Sequence, residues 1–232
     1  MMSAEADMAT DGTGRGPANA RCPHLVFRNV LGAPTVAALL EYAAARENDF
    51  RPAVVRNRSS GEKSVNTDLR KCLYLRQLDP FEDAIKAFVS KSADEALTRF
   101  GLAEPAVEAR EFEITAYRDG NYFGAHIDTD ERLNRVRVLS CVYYFAATPR
   151  RFSGGELRLY GLPTLSAGRK PEPAPCVDVA PETDTLVVFP SWLRHEVLPV
   201  RVPSGAWRDQ RFTINCWIHR ASPAAGGIPA AS

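Results

Sequence analysis

The β character of this chain is clearest in its middle, in the stretch Arg137-Val138-Leu139-Ser140-Cys141-Val142-Tyr143-Tyr144-Phe145. β-Branched and aromatic residues favour extended backbone because they pack well on a pleated surface. Six further short segments of apolar or alternating character surround this stretch, separated by turns that contain Gly and Pro. They are Glu111–Tyr117, Leu157–Tyr160, Val177–Val179, Thr185–Phe189, Glu196–Val200 and Phe212–Ile218. Many short strands with frequent turn signals predict a β-sandwich or barrel.

Two helices are predicted on the N-terminal side of the strands. The first opens at Ala33-Pro34-Thr35, and its apolar face consists of Val36, Leu39, Leu40 and Ala43. The second is predicted to begin with Asp79 as N-cap, Pro80 at the first helical position and Glu82 in a capping-box-like pattern. Its core-facing residues are Phe81, Ile85, Phe88 and Val89. Helices followed by strands indicate an α+β protein, in which helices buttress one face of a β core.

The composition is that of an ordinary globular protein: 232 residues, 45% hydrophobic and 25% charged. Lys and Arg number 29 against 28 Asp and Glu, and the resulting net charge of +1 does not favour a general affinity for nucleic acid or membranes. The five cysteines are scattered and form no CxxC pair. This pattern disfavours a disulfide framework or a cysteine zinc site, and it suits the reducing cytoplasm.

The ends of the chain differ in composition from its middle. We expect residues 1–20 to be a disordered leader and not a signal peptide, because they lack an apolar core. Residues 21–220 are expected to form one domain with its catalytic core at about 111–220, and residues 221–232 a disordered tail. No apolar run reaches membrane-spanning length. The oligomeric state stays open.

A polar, basic segment, 51–71, separates the two predicted helices and is interpreted as a long loop or lid. Its cations are Arg56, Arg58, Lys63, Arg70 and Lys71. They could attract an acidic peptide or a carboxylate-bearing small molecule, although a solvated loop is the simpler interpretation.

A metal site is indicated by His126-Ile127-Asp128. In a strand or its frayed end, residues two apart point to the same side, so the imidazole and the carboxylate can reach one ion. His195 is the best third ligand because it follows a buried-looking strand, whereas His24 and His219 lie near the chain ends and are expected at the surface. Two histidines and a carboxylate suit iron(II) with open positions, but the same ligands also suit a catalytic zinc.

A second part of the site is indicated by Arg211-Phe212-Thr213-Ile214-Asn215-Cys216-Trp217. As a strand, this segment places Arg211, Thr213, Asn215 and Trp217 on one face. A buried guanidinium needs an anionic partner, and a neighbouring hydroxyl can add a hydrogen bond to the same carboxylate. Arg211 with Thr213 is therefore a candidate carboxylate clamp, unless Arg211 pairs with an internal Asp or Glu.

At this point the sequence resembles the iron(II)- and 2-oxoglutarate-dependent oxygenases, particularly their prolyl 4-hydroxylase-like branch. The resemblance runs from about Phe112 to Trp217, nearly half of the chain, and its segments follow the family's order. They are the approach to His-x-Asp at 117–128, the core strand at 137–145, the Gly-Gly-Glu-Leu turn in 152–157, Phe189-Pro190-Ser191 before His195, and Arg211-Phe212-Thr213.

The resemblance implies a double-stranded β-helix, or jelly-roll, core. It also implies that His126, Asp128 and His195 bind Fe(2+), that Arg211 and Thr213 bind the distal carboxylate of 2-oxoglutarate, and that Tyr117 is a further candidate for that co-substrate. Tyr117 could equally be a wall residue of the barrel. Tyr144 and Trp217 are interpreted as packing residues, and Gly154 and Gly155 as turn residues that need unusual backbone angles.

Two departures from the family pattern matter. Collagen-type prolyl 4-hydroxylases usually present lysine as the clamp, whereas this chain presents arginine, as oxygen-sensing hydroxylases and many bacterial relatives do. The stretch 202–210 between His195 and the clamp is also lengthened, which makes Arg208 a rival to Arg211. We prefer Arg211, because the strand pattern begins there and Thr213 shares its face.

The function implied by the resemblance is hydroxylation of an unactivated C–H bond in a peptidyl or small-molecule substrate. O2 and 2-oxoglutarate are consumed, succinate and CO2 are released, and ascorbate is a further candidate cofactor. Asp128 favours hydroxylation, because related halogenases lack this carboxylate. Two other classes stay open on the residues alone: a zinc-dependent hydrolase with the same ligands, and a β-barrel binding module without catalysis.

Overall fold

The computed structural model describes residues 6–7, 21–56, 63–104, 106–129, 136–162 and 174–221. Apart from residues 6–7 and 221, the expected leader and tail lie outside the described residues. So does Arg58 of the predicted lid, and the side chains of Arg56 and Lys63 are not described.

The described elements follow the predicted order, with most of the strands after the helices. Helix α1 is Ala33–Ala45 and helix α2 is Glu82–Phe100. The strands are β1 Ala6–Asp7, β2 Leu25–Arg28, β3 Arg51–Pro52, β4 Val55–Arg56, β5 Lys63–Ser64, β6 Arg70–Lys71, β7 Leu73–Leu75, β8 Val107–Tyr117, β9 Tyr122–His126, β10 Arg137–Phe145, β11 Ser153–Gly154, β12 Leu157–Tyr160, β13 Pro175–Val179, β14 Thr185–Pro190, β15 His195–Val197, β16 Val200–Arg201 and β17 Arg211–Arg220. Short 3-10 helices lie at Glu47–Asp49 and Trp207–Asp209.

Two antiparallel sheets form the β core. The larger sheet has the strand order β1-β2-β14-β10-β17-β8-β7-β3, and the smaller has β13-β12-β15-β9-β6. Their inner faces pack together through residues such as Val187 and Phe189 of β14 with Leu157 and Leu159 of β12. This arrangement confirms the predicted jelly-roll core.

The helices cover the outer face of the larger sheet, as predicted. Leu39 of α1 and Val89 of α2 belong to one buried cluster with Ile114, Phe212 and Ile214 of the sheet. Strand β17 therefore sends alternate side chains in opposite directions. Phe212, Ile214 and Cys216 enter the helix-side core, while Arg211, Thr213, Asn215 and Trp217 line a cavity between the sheets.

The predicted start of α2 was wrong by two residues. A turn closed by the Phe81 N–H, which donates to the Leu78 carbonyl at 2.7 Å, precedes the helix. The first helical residue is therefore Glu82, and the N-cap position, Phe81, makes no side-chain capping bond.

Three other local predictions change. The segment predicted as one strand from Glu196 to Val200 is divided between β15 and β16, which pair with different strands. The expected long loop at 51–71 contains short strands that pair with larger elements, β3 with β7 and β6 with β9. Strand β9 was not among the predicted strands.

Among the described residues, no helix is long and apolar enough to span a membrane.

Candidate metal centre and co-substrate pocket

Two neighbouring strands of the smaller sheet bring the histidines together. His126 ends β9, His195 begins β15, and the two residues are direct partners across the antiparallel pair. Asp128 lies two residues beyond the end of β9, where its backbone N–H donates to the Ser191 carbonyl at 2.9 Å. This bond holds the segment after the strand in place, so the carboxylate turns towards both imidazoles.

The three side chains form a compact ligand set. Ligand atoms from His126, Asp128 and His195 all lie within 4.8 Å of one another. The Nε2 atoms of His126 and His195 each lie 3.5 Å from a different oxygen of Asp128. Among the residues that the structure describes, these three form the one cluster of His, Cys, Asp and Glu side chains that could hold a metal ion. The predicted triad is therefore assembled in space.

Both imidazoles are oriented by backbone carbonyls. Nδ1 of His126 lies 2.8 Å from the Gly124 carbonyl, and Nδ1 of His195 lies 2.8 Å from the Leu193 carbonyl. A carbonyl oxygen can only accept, so each Nδ1 carries the proton and each Nε2 keeps its lone pair for a metal. Burial lowers the pKa of His195 to about 4, and repulsion from His126 acts in the same direction, so this ring is neutral at neutral pH.

Asp128 is held by two neighbours on β10. The Ser140 hydroxyl donates to Oδ2 at 2.6 Å, and Arg137 donates to the Asp128 backbone carbonyl at 3.3 Å. Burial alone would raise the pKa of Asp128, but its interactions with His195, His126 and Ser140 outweigh burial and hold that pKa well below its usual value. A carboxylate that stays ionised at this position is the form of the ligand that a metal ion requires.

The predicted clamp, Arg211 with Thr213, lines the cavity between the sheets that the triad also lines. Arg211 is 1% exposed, and its Nε donates to the Gly155 carbonyl at 2.8 Å. Its two terminal nitrogens, the Thr213 hydroxyl and the Tyr144 hydroxyl are buried and have no hydrogen-bond partner among the described residues. The guanidinium carbon lies 4.7 Å from the centre of the Tyr117 ring and 5.0 Å from that of Tyr144.

These unsatisfied groups fit a carboxylate. Arg211 forms no ion pair with an Asp or Glu within the described ranges, so the alternative of an internal carboxylate partner finds no support there. A buried guanidinium without an anion is costly by several kcal/mol, and its planar fork matches a carboxylate bidentately. Two hydroxyls beside the fork offer further donors. The arrangement has the donor set expected for one terminal carboxylate of a dicarboxylic acid.

The turn before β12 makes room for this clamp. Gly154 and Gly155 have φ values of +69° and +71°, which confirms their interpretation as turn residues with unusual backbone angles. A Cβ on Gly155 would lie 2.5 Å from Cδ and 2.9 Å from Nε of Arg211. The missing side chain therefore permits the close approach of Arg211 to this turn.

A cavity of about 870 Å³ joins the triad to the clamp. Its lining includes all six residues singled out from the sequence: Tyr117, His126, Asp128, His195, Arg211 and Thr213. Arg208, the rival clamp, is not part of this lining. It lies on the surface, where it forms an ion pair with Glu41.

Three sequence interpretations need correction. His219 is buried, with Nε2 2.8 Å from Glu111, because β17 continues through it to Arg220. Tyr144 was taken as a packing residue, yet its hydroxyl is an unsatisfied group beside Arg211. Arg70 belongs to the cavity wall and pairs with Glu113 at 3.0 Å, so it is not a solvated lid cation. The position of Tyr144 on the inner face of β10 was the one signal that could have found it.

A jelly-roll with a His/Asp/His triad and an adjacent anion clamp defines a class of metal- and carboxylate-binding β proteins. Comparison with known proteins narrows this class. Residues 112–219 match the model of the 2OG-Fe(II) oxygenase superfamily. The match covers slightly less than half of the chain, and this part of the chain is similar to that superfamily.

A curated relative is similar over a longer stretch of the chain. The chain is 30% identical over 148 residues to an uncharacterized PKHD-type hydroxylase of Synechocystis. The match covers 64% of this chain and 48% of that protein, so the chain spans about half the length of the curated relative.

Solved structures show the same fold at low identity. A Pseudomonas putida prolyl-4-hydroxylase superposes with a TM-score of 0.56 and 22% identity, covering 87% of this chain and 94% of that one. A Trichoplax adhaerens prolyl hydroxylase, in complex with a hypoxia inducible factor peptide fragment, gives 0.56 and 20%, covering 85% and 84%. A viral collagen prolyl hydroxylase of Paramecium bursaria Chlorella virus-1, in complex with 2OG, gives 0.53 and 16%, covering 86% and 97%.

Proposed function

We propose that this protein is an iron(II)- and 2-oxoglutarate-dependent dioxygenase that hydroxylates an unactivated C–H bond of a peptidyl or small-molecule substrate. The observation that carries the proposal is one cavity lined by both the His126, Asp128 and His195 triad and a buried guanidinium without a partner among the described residues. A metal ion alone would explain the triad, but it would leave Arg211 buried without an anion.

The roles follow from the geometry. His126, Asp128 and His195 would hold Fe(2+) through Nε2, one carboxylate oxygen and Nε2. Arg211 would bind the distal carboxylate of 2-oxoglutarate, with hydrogen bonds from Thr213 and Tyr144. Tyr117 packs its ring against the guanidinium, and it is 3% exposed. Tyr117 would therefore form part of the wall of the co-substrate pocket. This position suits both roles considered for it, as a contact of 2-oxoglutarate and as a wall residue of the barrel.

When bound, iron with 2-oxoglutarate and O2 supplies oxidative decarboxylation to succinate and CO2, with transfer of one oxygen atom to the substrate. The chain itself positions these partners. Ser140 and the Gly124 and Leu193 carbonyls fix the ligands, so little reorganisation is needed on metal binding.

The substrate would enter from the end of the cavity opposite the clamp. There the lining includes Arg76, Glu111, Arg137 and Trp217. The Arg137 guanidinium lies 3.9 Å from the Trp217 ring centre and forms an ion pair with Glu111. A polar, open mouth accommodates part of a larger molecule, and the peptide complex of the Trichoplax relative makes a peptidyl substrate a reasonable choice.

The zinc hydrolase alternative is less well supported. It needs a carboxylate near the metal to act as general base. Glu111 is paired with Arg137 and His219, and Glu113 is paired with Arg70. Zinc-dependent hydrolysis would also give the buried Arg211 no ligand to bind. A silent binding module would not need the oriented imidazoles.

We further propose that residues 21–220 act as one catalytic domain with its core at about 111–220. A cytoplasmic setting suits the five cysteines, which carry thiols. Ascorbate would serve as a reductant that restores iron(II).

The test is succinate formation with Fe(2+), 2-oxoglutarate and O2 against a library of peptides and metabolites. The expected result is substrate-stimulated succinate release with one hydroxyl added per turnover. His195→Ala should abolish it, while Arg208→Ala, a surface change, should not. Metal-dependent hydrolysis without 2-oxoglutarate consumption would contradict the proposal.

A further inference from the structure

Two cysteines far apart in sequence meet at one corner of the β core. Cys22 precedes β2 and is fully buried, whereas Cys176 lies on β13 and is exposed. The two thiols lie close enough to interact with each other. One thiol of the pair is therefore open to solvent and the other lies directly behind it.

Backbone contacts hold this corner independently of the thiols. The Leu162 N–H donates to the Arg21 carbonyl at 2.7 Å, and the Gly161 N–H donates to the Ala174 carbonyl at 2.9 Å. A Cβ placed on Gly161 would be 3.6 Å from the Arg21 carbonyl oxygen and 3.7 Å from the Cys176 sulfur. Three chain segments thus converge, and they place Cys176 beside the segment that carries Cys22.

We propose that Cys22 and Cys176 form a thiol modification site that low-molecular-weight disulfides, such as oxidised glutathione, convert to an intramolecular disulfide. The exposed Cys176 thiolate attacks the small disulfide, forms a mixed disulfide and releases one small thiol. Cys22 then attacks the Cys176 sulfur and releases the second small thiol. Two protein thiols are oxidised, one small disulfide is reduced, and the two protons end on the small thiols.

The order of attack follows from the surroundings of each sulfur. Burial raises the pKa of the Cys22 thiol, and the contact with Cys176 raises it further. A buried thiol of high pKa reacts slowly with a bulky oxidant. Once Cys176 carries the mixed disulfide, however, Cys22 already lies beside the sulfur that it must attack.

The bond would link the two sheets at their edges. In the larger sheet β2 lies beside the outermost strand β1, and in the smaller sheet β13 is the edge strand. The disulfide would close a loop of about 150 residues, and cross-links over long loops restrict the unfolded chain most. Oxidation should therefore stabilise the folded protein against unfolding.

A second cysteine pair provides a matched control. Cys141 and Cys216 are direct partners on β10 and β17, and their thiols also lie close enough to interact. Each is 1% exposed and lies in the helix-side core. This pair shares the proximity of the first but not its access to solvent, so it should stay reduced.

The test is incubation of the folded protein with oxidised glutathione, alkylation of remaining thiols, and peptide mass spectrometry, with the melting temperature measured in parallel. We expect a Cys22–Cys176 link and a rise of about 5 °C in Tm, reversed by dithiothreitol. Cys176→Ser, at an exposed position, should abolish both effects, and Cys216→Ser should keep both.

Three results would overturn the proposal. They are a mixed disulfide that stays on Cys176 without closing, no reaction at either residue, and a link between Cys141 and Cys216 instead. None of these outcomes depends on the oxygenase activity, so the two proposals fail separately.

Discussion

Arg211 is the residue on which the chemistry depends most. It is buried in a cavity wall, it is anchored through Nε to Gly155, and its terminal nitrogens face no partner among the described residues. A charge in this position is tolerated in a folded protein when a ligand of opposite charge arrives. The same residue separates the oxygenase proposal from a simple metal site, because zinc hydrolysis would not use it.

Arg211→Ala should therefore weaken 2-oxoglutarate binding by about 30-fold or more, since removal of one partner from a buried charged pair costs about 2 kcal/mol or more. Metal affinity should change little, because the triad contacts other residues. Equilibrium titrations of metal and of 2-oxoglutarate measure the two effects separately. Arg208→Ala is the matched control, and equal losses in both variants would refute the assignment of Arg211.

Ser140 supports the metal from behind Asp128. Its hydroxyl donates to one carboxylate oxygen at 2.6 Å and lies 3.0 Å from the Ser191 hydroxyl. Ser140→Ala should lower metal affinity about 10-fold, because outer hydrogen bonds orient the ligands. Ser92→Ala, which removes a buried hydroxyl in α2, should leave metal affinity unchanged. A Ser140→Ala protein with wild-type metal affinity would show that Asp128 is positioned by the backbone alone.

At the scale of elements, the site depends on how strands end. Asp128 lies beyond β9, His195 begins β15, and the glycine turn before β12 receives Arg211. The alternation of β17 could be predicted from its sequence, and so could the common side of His126 and Asp128. The partner strands could not, because register between β9 and β15 depends on contacts between distant segments.

The wrong predictions for individual residues have the same cause, namely contacts between segments that are distant in sequence. His219 was assigned to the surface because it stands beside a polar tail, yet β17 extends through it and pairs with β8. For Tyr144 the one local signal was its position on the inner face of β10, and Arg70 carried no local signal of a role. Only the packing of the two sheets shows that the hydroxyl of Tyr144 faces Arg211 and that Arg70 pairs with Glu113.

Gly155→Ala tests the turn itself. The added methyl group would collide with the Arg211 side chain, so 2-oxoglutarate affinity should fall about 10-fold or more. The positive φ at this position should also lower the free energy of unfolding by about 1 kcal/mol through backbone strain. Gly205→Ala carries the same kind of strain, at φ +63°, with open space around the new methyl group. Thermal unfolding should show a larger loss of stability in Gly155→Ala than in Gly205→Ala, because the clash adds to the strain. If Gly205→Ala lost co-substrate affinity equally, strain and not the clash would be responsible.

At the scale of the whole molecule, the two sheets contribute different parts of the site. The larger sheet presents the clamp on β17 and packs its outer face on the helices, while the smaller sheet contributes both histidines. The cavity exists because the two inner faces meet, so neither sheet holds a complete site. The jelly-roll class could be predicted from strand number and the family resemblance. The space between the sheets, and with it the substrate end of the cavity, required the structure.

The central claim is that the triad and Arg211 together bind iron(II) and 2-oxoglutarate in one cavity. The most direct measurement is anaerobic addition of Fe(2+) and 2-oxoglutarate to the protein, followed by visible absorption spectroscopy. The account predicts a weak metal-to-ligand charge-transfer band that saturates with 2-oxoglutarate, is absent in His195→Ala and needs a higher 2-oxoglutarate concentration in Arg211→Ala. Absence of the band in the wild-type protein, with zinc bound tightly in its place, would contradict the account.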